Sequence, residues 1–169
     1  MKMKRQGFNL IELVVILIIV GIVSVISFVA LNPYKGVKLD AAAKKVAADL
    51  QYVRNLALST AKWYGISFEA DPVNTYTVYE TDGTTDTVIK NPADLGKNFI
   101  IDLNDSYGGI TIDSVDIGGG NKVEFHPLGK PYTDKNDPAL GATGRIIIGF
   151  SGITKDVTIT PNTGRIDVD

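Results

Sequence analysis

Between Leu13 and Leu31 the sequence reads LVVILIIVGIVSVISFVAL, with no charged side chain. As a helix, this run of about 19 residues is about 28 Å long, close to the hydrocarbon thickness of a bilayer. Such a segment needs cover on every side, from lipid or from partners. Lys2, Lys4 and Arg5 precede it, and cations on that side predict a cytoplasmic N-terminus with the chain after residue 34 outside. A cleaved secretory signal peptide is the competing reading. Its apolar core would be shorter, about 7–15 residues, and would end in small residues. Here bulky Phe28 stands where Ser27-Phe28-Val29-Ala30 would need a small one.

Composition removes several function classes. The chain has no cysteine, which excludes a disulfide scaffold, a thiolate zinc site and a cysteine nucleophile. A single histidine makes a histidine metal site or a Ser-His-Asp relay hard to assemble. No cofactor or metal is expected, and the chain is predicted not to be an enzyme. From residue 8 onward it carries fourteen basic and nineteen acidic side chains, a net of −5. That balance does not suggest a nucleic-acid partner, which would ask for a concentrated basic footprint.

Glu12 is the anomaly. A carboxylate at the head of an apolar helix is costly within a membrane and usually has a partner or sits at headgroup depth. Gly7-Phe8-Asn9-Leu10-Ile11-Glu12 follows a short basic leader, and this combination resembles the processing signal of type IV pilins and type II secretion pseudopilins. The resemblance implies cleavage by a prepilin peptidase after Gly7 and N-methylation of Phe8. It also implies a filament in which Glu12 of one subunit pairs with the Phe8 amine of a neighbour. The apolar helix would be anchored in lipid before assembly and would form the filament core afterwards. Many relatives have a proline where this chain has Val29; here Pro33 comes later and is expected to bend or break the helix just outside the membrane.

Downstream, Val37 to Tyr64 has helical periodicity. Val46, Leu50, Val53 and Ala57 form an apolar stripe suited to a sheet. Asp40–Lys44 and Lys45–Asp49 are i, i+4 pairs of opposite sign, read as a solvated face rather than a basic surface for DNA. Short strands follow at 65–68, 76–79, 87–89, 110–112, 122–125, 145–150, 156–160 and 165–168, with turns at Asp82-Gly83 and Asn162-Thr163-Gly164. Residues 91–109 and 127–144 read as irregular and exposed. The expected fold class is α+β: a long N-terminal helix, half transmembrane and half amphipathic, packed on an antiparallel β-sheet in the manner of pilins. Residues 1–7 form the leader, 8–33 the transmembrane and assembly helix, and 34–169 the periplasmic globular domain.

Two stretches narrow the resemblance. Ala48 to Ala57, with Arg54, and the ending from Gly144-Arg145 through Thr163-Gly164-Arg165-Ile166 are similar to the GspH/FimT family of minor subunits. This implies a minor pseudopilin of a type II secretion system, or alternatively a minor type IV pilin that primes a pilus or takes up DNA. Expected partners are other pilin-like subunits, the prepilin peptidase, an inner-membrane assembly platform and, before assembly, membrane lipid. The expected location is the bacterial inner membrane, single pass, with the C-terminal domain periplasmic. DNA-binding relatives carry further arginine after the last Gly-Arg, whereas here Asp167 and Asp169 follow.

Other signals are weaker. Gly149-Phe150-Ser151-Gly152 lacks the final glycine of a nucleophile elbow and reads as a Ser-Gly turn. His126 has no sequence-near ligand cluster and reads as structural. Gly118-Gly119-Gly120 lacks the Lys-Ser/Thr of a phosphate loop. Asp102, Asn104 and Ser106 have the spacing of a calcium loop, but Tyr107 stands where that loop needs glycine.

Overall fold

The computed structural model describes residues 9–169, apart from the side chains of residues 25–33. The leader and Phe8 therefore lie outside the described residues. Two compact units divide after Gly36, the second running Val37–Asp169. Helix α1 spans Leu10–Thr60, so of the bend or break expected at Asn32-Pro33 the break does not occur and the helical backbone continues past it. A proline removes one amide from the helical ladder, at a cost of about 3 kcal/mol. Twenty-odd apolar and helix-favouring residues on either side can outweigh such a local loss (about one hydrogen bond per residue is still made).

In the second unit, Val46, Leu50, Val53 and Ala57 of α1 are buried, as the stripe predicted, and so are Leu39, Ala42 and Ala43. They pack on two antiparallel sheets through one continuous core. The first sheet holds β1 (Trp63–Glu69), β2 (Thr75–Thr81), β3 (Asp86–Val88), β6 (Ile100–Asp102), β8 (Lys122–Phe125) and β9 (Pro131–Tyr132). Its order is β3-β2-β1-β8-β9, with β6 also paired to β2. The second holds β7 (Thr111–Asp116), β10 (Gly144–Phe150), β11 (Ile153–Ile159) and β12 (Ile166–Val168), in the order β12-β11-β10-β7. Period-2 alternation explains which side each residue takes: Ile146 and Ile148 are buried while Arg145 is exposed, and Val157 and Ile159 are buried on the neighbouring strand.

Asn74 joins the two sheets. It is 1% exposed with φ +58, and its Oδ1 accepts from the Ile112 amide at 2.8 Å. Its carbonyl accepts from Leu103 N at 3.0 Å, and Asp71 N donates to Ile112 O at 3.0 Å.

Several expectations are corrected. The helix ends at Thr60 rather than Tyr64, because Ala61 turns left-handed (φ +56) and Tyr64 enters β1 with its ring buried. Residues 91–109 are not all loop. They contain part of the β4 (Lys90–Asn91) and β5 (Asp94–Asn98) hairpin, β6, and the short helix α2 (Leu103–Tyr107). β5 is exposed along its whole length, so no alternation marks it as a strand. Asp102 caps α2, its Oδ1 accepting from Asp105 N at 2.9 Å, so the calcium-like spacing lies on a capped helical turn and not on a loop. The 127–144 segment is irregular but contains β9 and is tied down at several points, as described below.

Candidate functional site

The site residues foreseen in the sequence are Gly7, Phe8 and Glu12. Gly7 and Phe8 lie outside the described residues. Glu12 lies in the first turn of α1, where its amide and that of Leu13 donate to the Asn9 carbonyl at 2.9 and 3.2 Å. An acidic side chain at this end complements the positive pole of the helix. Glu12 is exposed, and so is every described side chain from Leu10 to Ser24. The large apolar ones range from 43% exposed at Val14 to 80% at Leu10. Because these residues are consecutive, they cover the whole circumference of the helix. Ser24 adds no free polar group, since its hydroxyl donates to Val20 O at 2.7 Å. Among the described residues no helix is long and apolar enough to cross a membrane. The predicted span, Leu13–Leu31, includes side chains that lie outside the description.

In the second unit the polar chemistry is internal. Asp49, read from its spacing as solvated, is 6% exposed. Lys45 Nζ donates to both its oxygens at 2.6 and 2.7 Å, and the Tyr76 hydroxyl donates at 2.5 Å. Burial, and then the Asp49 charge, pushes the Tyr76 hydroxyl far above the ordinary phenol range, so it stays a donor. Asp49 follows Ala48 at the flank of the Val46–Leu50–Val53 stripe, and only the tyrosine arriving from β2 draws it inward. The Asp40–Lys44 pair, at 2.6 Å, is the solvated one, and Lys155 approaches Asp40 at 3.3 Å.

Glu124, 1% exposed, is the second buried acid, and no local pattern distinguishes it. Alternation in β8 points Val123 and Phe125 into the core and Glu124 outward. The segment 133–137 then covers it. Lys135 N donates to Glu124 Oε2 at 2.6 Å, Tyr79 OH to Oε1 at 3.0 Å, and Lys122 Nζ to Oε1 at 3.1 Å. Lys122 also pairs with Asp134, and Lys135 Nζ and Asn136 Nδ2 donate to the carbonyls of Asp82 and Gly83 at 2.6 and 2.7 Å. Burial would lower the Lys122 pKa, but its bonds to Asp134 and Glu124 outweigh it and raise the value. Tyr79, like Tyr76, is raised by burial first and by the adjacent carboxylate second. A long-range strap of this kind has no local periodicity for sequence reasoning to detect.

The remaining singled-out residues have structural partners. Arg54 Nε donates to Gly129 O at 3.1 Å and lies against Gly164, clamping the helix to two turns. His126 Nδ1 accepts from Leu128 N at 2.9 Å, and its ring meets Trp63 edge-on at 4.9 Å. Ser151 (φ +50) and Gly152 (φ +82) form the two-residue turn between β10 and β11. Gly118–Gly120 closes the β7–β8 turn, with Ile117 N donating to Gly120 O at 3.0 Å. Arg145 and Arg165, on the outer face of the C-terminal sheet, pair with Asp156 and Asp167 at 3.3 and 2.9 Å. Among the described residues no group of three or more His, Cys, Asp or Glu side chains could hold a metal ion.

An α+β domain with a long N-terminal helix laid on antiparallel sheet, preceded by an apolar segment headed by Glu12, is a type IV pilin-like fold. Among solved structures, the chain is similar to the type IV minor pilin FimU of Pseudomonas aeruginosa: 18% identity, TM-score 0.53, covering 78% of this chain and 92% of that one. A second crystal form of FimU gives 16% identity and a TM-score of 0.52, over 78% of this chain and 87% of that one. No protein-family model matches the chain. No curated protein matches it either.

Proposed function

We propose that this protein is a minor subunit of a type IV pilin-like filament, held in the bacterial inner membrane with its C-terminal domain outside until it assembles. The observation that carries this reading is Glu12 in the first turn of α1, at the head of a stretch, Leu10–Ser24, whose apolar side chains are exposed around the full circumference of the helix. Lipid can cover such a helix but leaves the carboxylate poorly placed. A bundle of neighbouring helices can cover it and also supply a cation, the Phe8 amine freed by cleavage after Gly7. The role is structural, with no catalytic step. Prepilin peptidase and an inner-membrane assembly platform are the other partners it requires.

Within this class, the likeness to FimU supports a type IV pilus as the host filament. The second reading, a pseudopilin of a type II secretion system, is favoured by one observation. The C-terminal face carries Arg145 and Arg165 already paired with carboxylates, which leaves little free positive charge for DNA phosphates. The two readings separate in a strain lacking the gene, with surface pili and secreted proteins quantified side by side. Loss of pili with normal secretion supports the pilus subunit. Loss of secretion with normal pili supports the pseudopilin. If both are normal, the filament role is wrong.

A further inference from the structure

β3 and β6 are two halves of one edge strand. β3 pairs with Tyr79–Thr81 of β2, and β6 pairs with Thr75–Thr77. At the rung between them, Val78 N donates to Phe99 O at 2.9 Å and Ile89 N donates to Val78 O at 3.1 Å. Phe99 N closes the rung by donating to Ile89 O at 2.8 Å. The chain thus leaves the sheet edge at Ile89 and returns to the same rung at Phe99. Between them lies the β4–β5 hairpin, an insertion into an otherwise continuous strand.

The insertion is anchored at its base and isolated at its tip. Phe99 is 1% exposed and meets Tyr52 and the Lys45 ammonium, with Ile89 packed against the core. From Lys90 to Asn98, every residue except Asn91 is exposed. The side-chain bonds of this stretch stay within it: Lys90 to Asn98 at 3.0 Å, Ala93 N to Asn91 at 2.9 Å, Gly96 N to Asp94 at 3.1 Å, and the Lys97–Asp94 pair at 3.3 Å. A lone two-stranded ribbon is only marginally stable in water. Leu95 projects from it at 75% exposure.

We propose that Lys90–Asn98 is an interaction arm that seats Leu95 on the globular domain of a neighbouring subunit; this rests on the filament reading above. The neighbour follows from dimensions. Packed helices lie about 8–10 Å apart, whereas a domain of roughly 130 residues has a radius of gyration of about 14 Å. Domains carried on bundled helices must therefore touch, and a ribbon of four or five residues per strand reaches about 15 Å beyond the sheet edge. Charge indicates the kind of surface. The arm holds two lysines and one aspartate, while the rest of the domain from Val37 holds eleven basic and seventeen acidic side chains. The arm fits a surface that is apolar at its centre and acidic at its rim, and a domain with this chain's excess of acidic side chains supplies such a rim.

The chain has no cysteine, so Leu95→Cys in the full-length protein introduces a unique thiol. Whole cells are treated with a short thiol-to-amine crosslinker, filaments are sheared off, and the adduct is identified by mass. The expected product joins this chain to another pilin-like subunit. Leu95→Asp should reduce the chain in sheared filaments about tenfold, the loss of one interface anchor, while its processed form in the membrane and its circular dichroism stay unchanged. If the chain enters filaments but its adduct is absent or joins a protein outside the filament, the arm proposal is overturned. Normal assembly of Leu95→Asp also overturns it. If the unmodified chain is itself missing from sheared filaments, the filament reading fails first, and the proposed partner fails with it.

Discussion

Asp49 offers a quantitative test of how the helix is fixed to the sheet. Its carboxylate is 6% exposed and accepts from Lys45 on its own helix and from Tyr76 on β2, the latter at 2.5 Å. Asp49→Ala removes a charge-assisted hydrogen bond worth about 1.5–3 kcal/mol and leaves the Tyr76 hydroxyl, 1% exposed, without an acceptor. The expected destabilisation is about 3 kcal/mol, near the lower end for breaking a buried charged contact. Tyr76→Phe keeps the Lys45–Asp49 pair and should cost about 1.5 kcal/mol. In the double variant no orphaned hydroxyl remains, so its cost should fall short of the sum by about 1–2 kcal/mol. The single tryptophan, Trp63, stands in the adjacent strand and reports unfolding by fluorescence in urea. Additive costs, or an Asp49→Ala variant within about 0.5 kcal/mol of the parent, would refute the buried Asp49–Tyr76 link.

Three further outcomes are expected. Gly164→Ala places a Cβ 2.5 Å from Gly129 O at a φ of +63, against backbone and against the Arg54 clamp, and should cost about 2–3 kcal/mol in the same unfolding assay. Asp134 is held below its ordinary value of 3.8 by Lys122, and Asp82 below the same value by the amides of Thr85 and Thr84. A folded-state value below the unfolded one means their stabilisation is complete above the ordinary value and is lost as pH falls through the depressed native value. Thermal melts should therefore change little from neutrality down to about pH 5 and begin to fall below about pH 4; a loss centred near pH 6 would contradict this. Gly7→Val should leave a full-length precursor on immunoblots, because a Cβ obstructs close approach of the peptidase.

The elements that could be read from the sequence were those with local periodicity. The Val46–Leu50–Val53–Ala57 stripe and the alternating β10 and β11 each reveal their buried side within a few residues. The long helix above an antiparallel sheet could therefore be foreseen. The elements that could not were fixed by distant partners. Asp49 looks solvated until Tyr76 reaches it, and Glu124 looks solvent-facing until Lys135 and Asn136 are tied across the sheet. The β4–β5 hairpin has no buried face and hence no pattern. Pro33 is the opposite case, a local breaker through which the helix nevertheless continues. Glu12 stands out in the sequence because a lone carboxylate at the head of an uncharged run conflicts with its surroundings.

The most direct test of the filament account is the Glu12→Ala chain, followed in parallel in membranes and in sheared filaments. Cleavage after Gly7 should proceed normally, giving a processed band of wild-type mass apart from the substitution. That processed chain should stay in the membrane and be missing from the filament fraction, because the charge proposed to pair with a neighbour's amine is gone. Glu12→Ala chains present in filaments at the wild-type level would contradict the account at its centre.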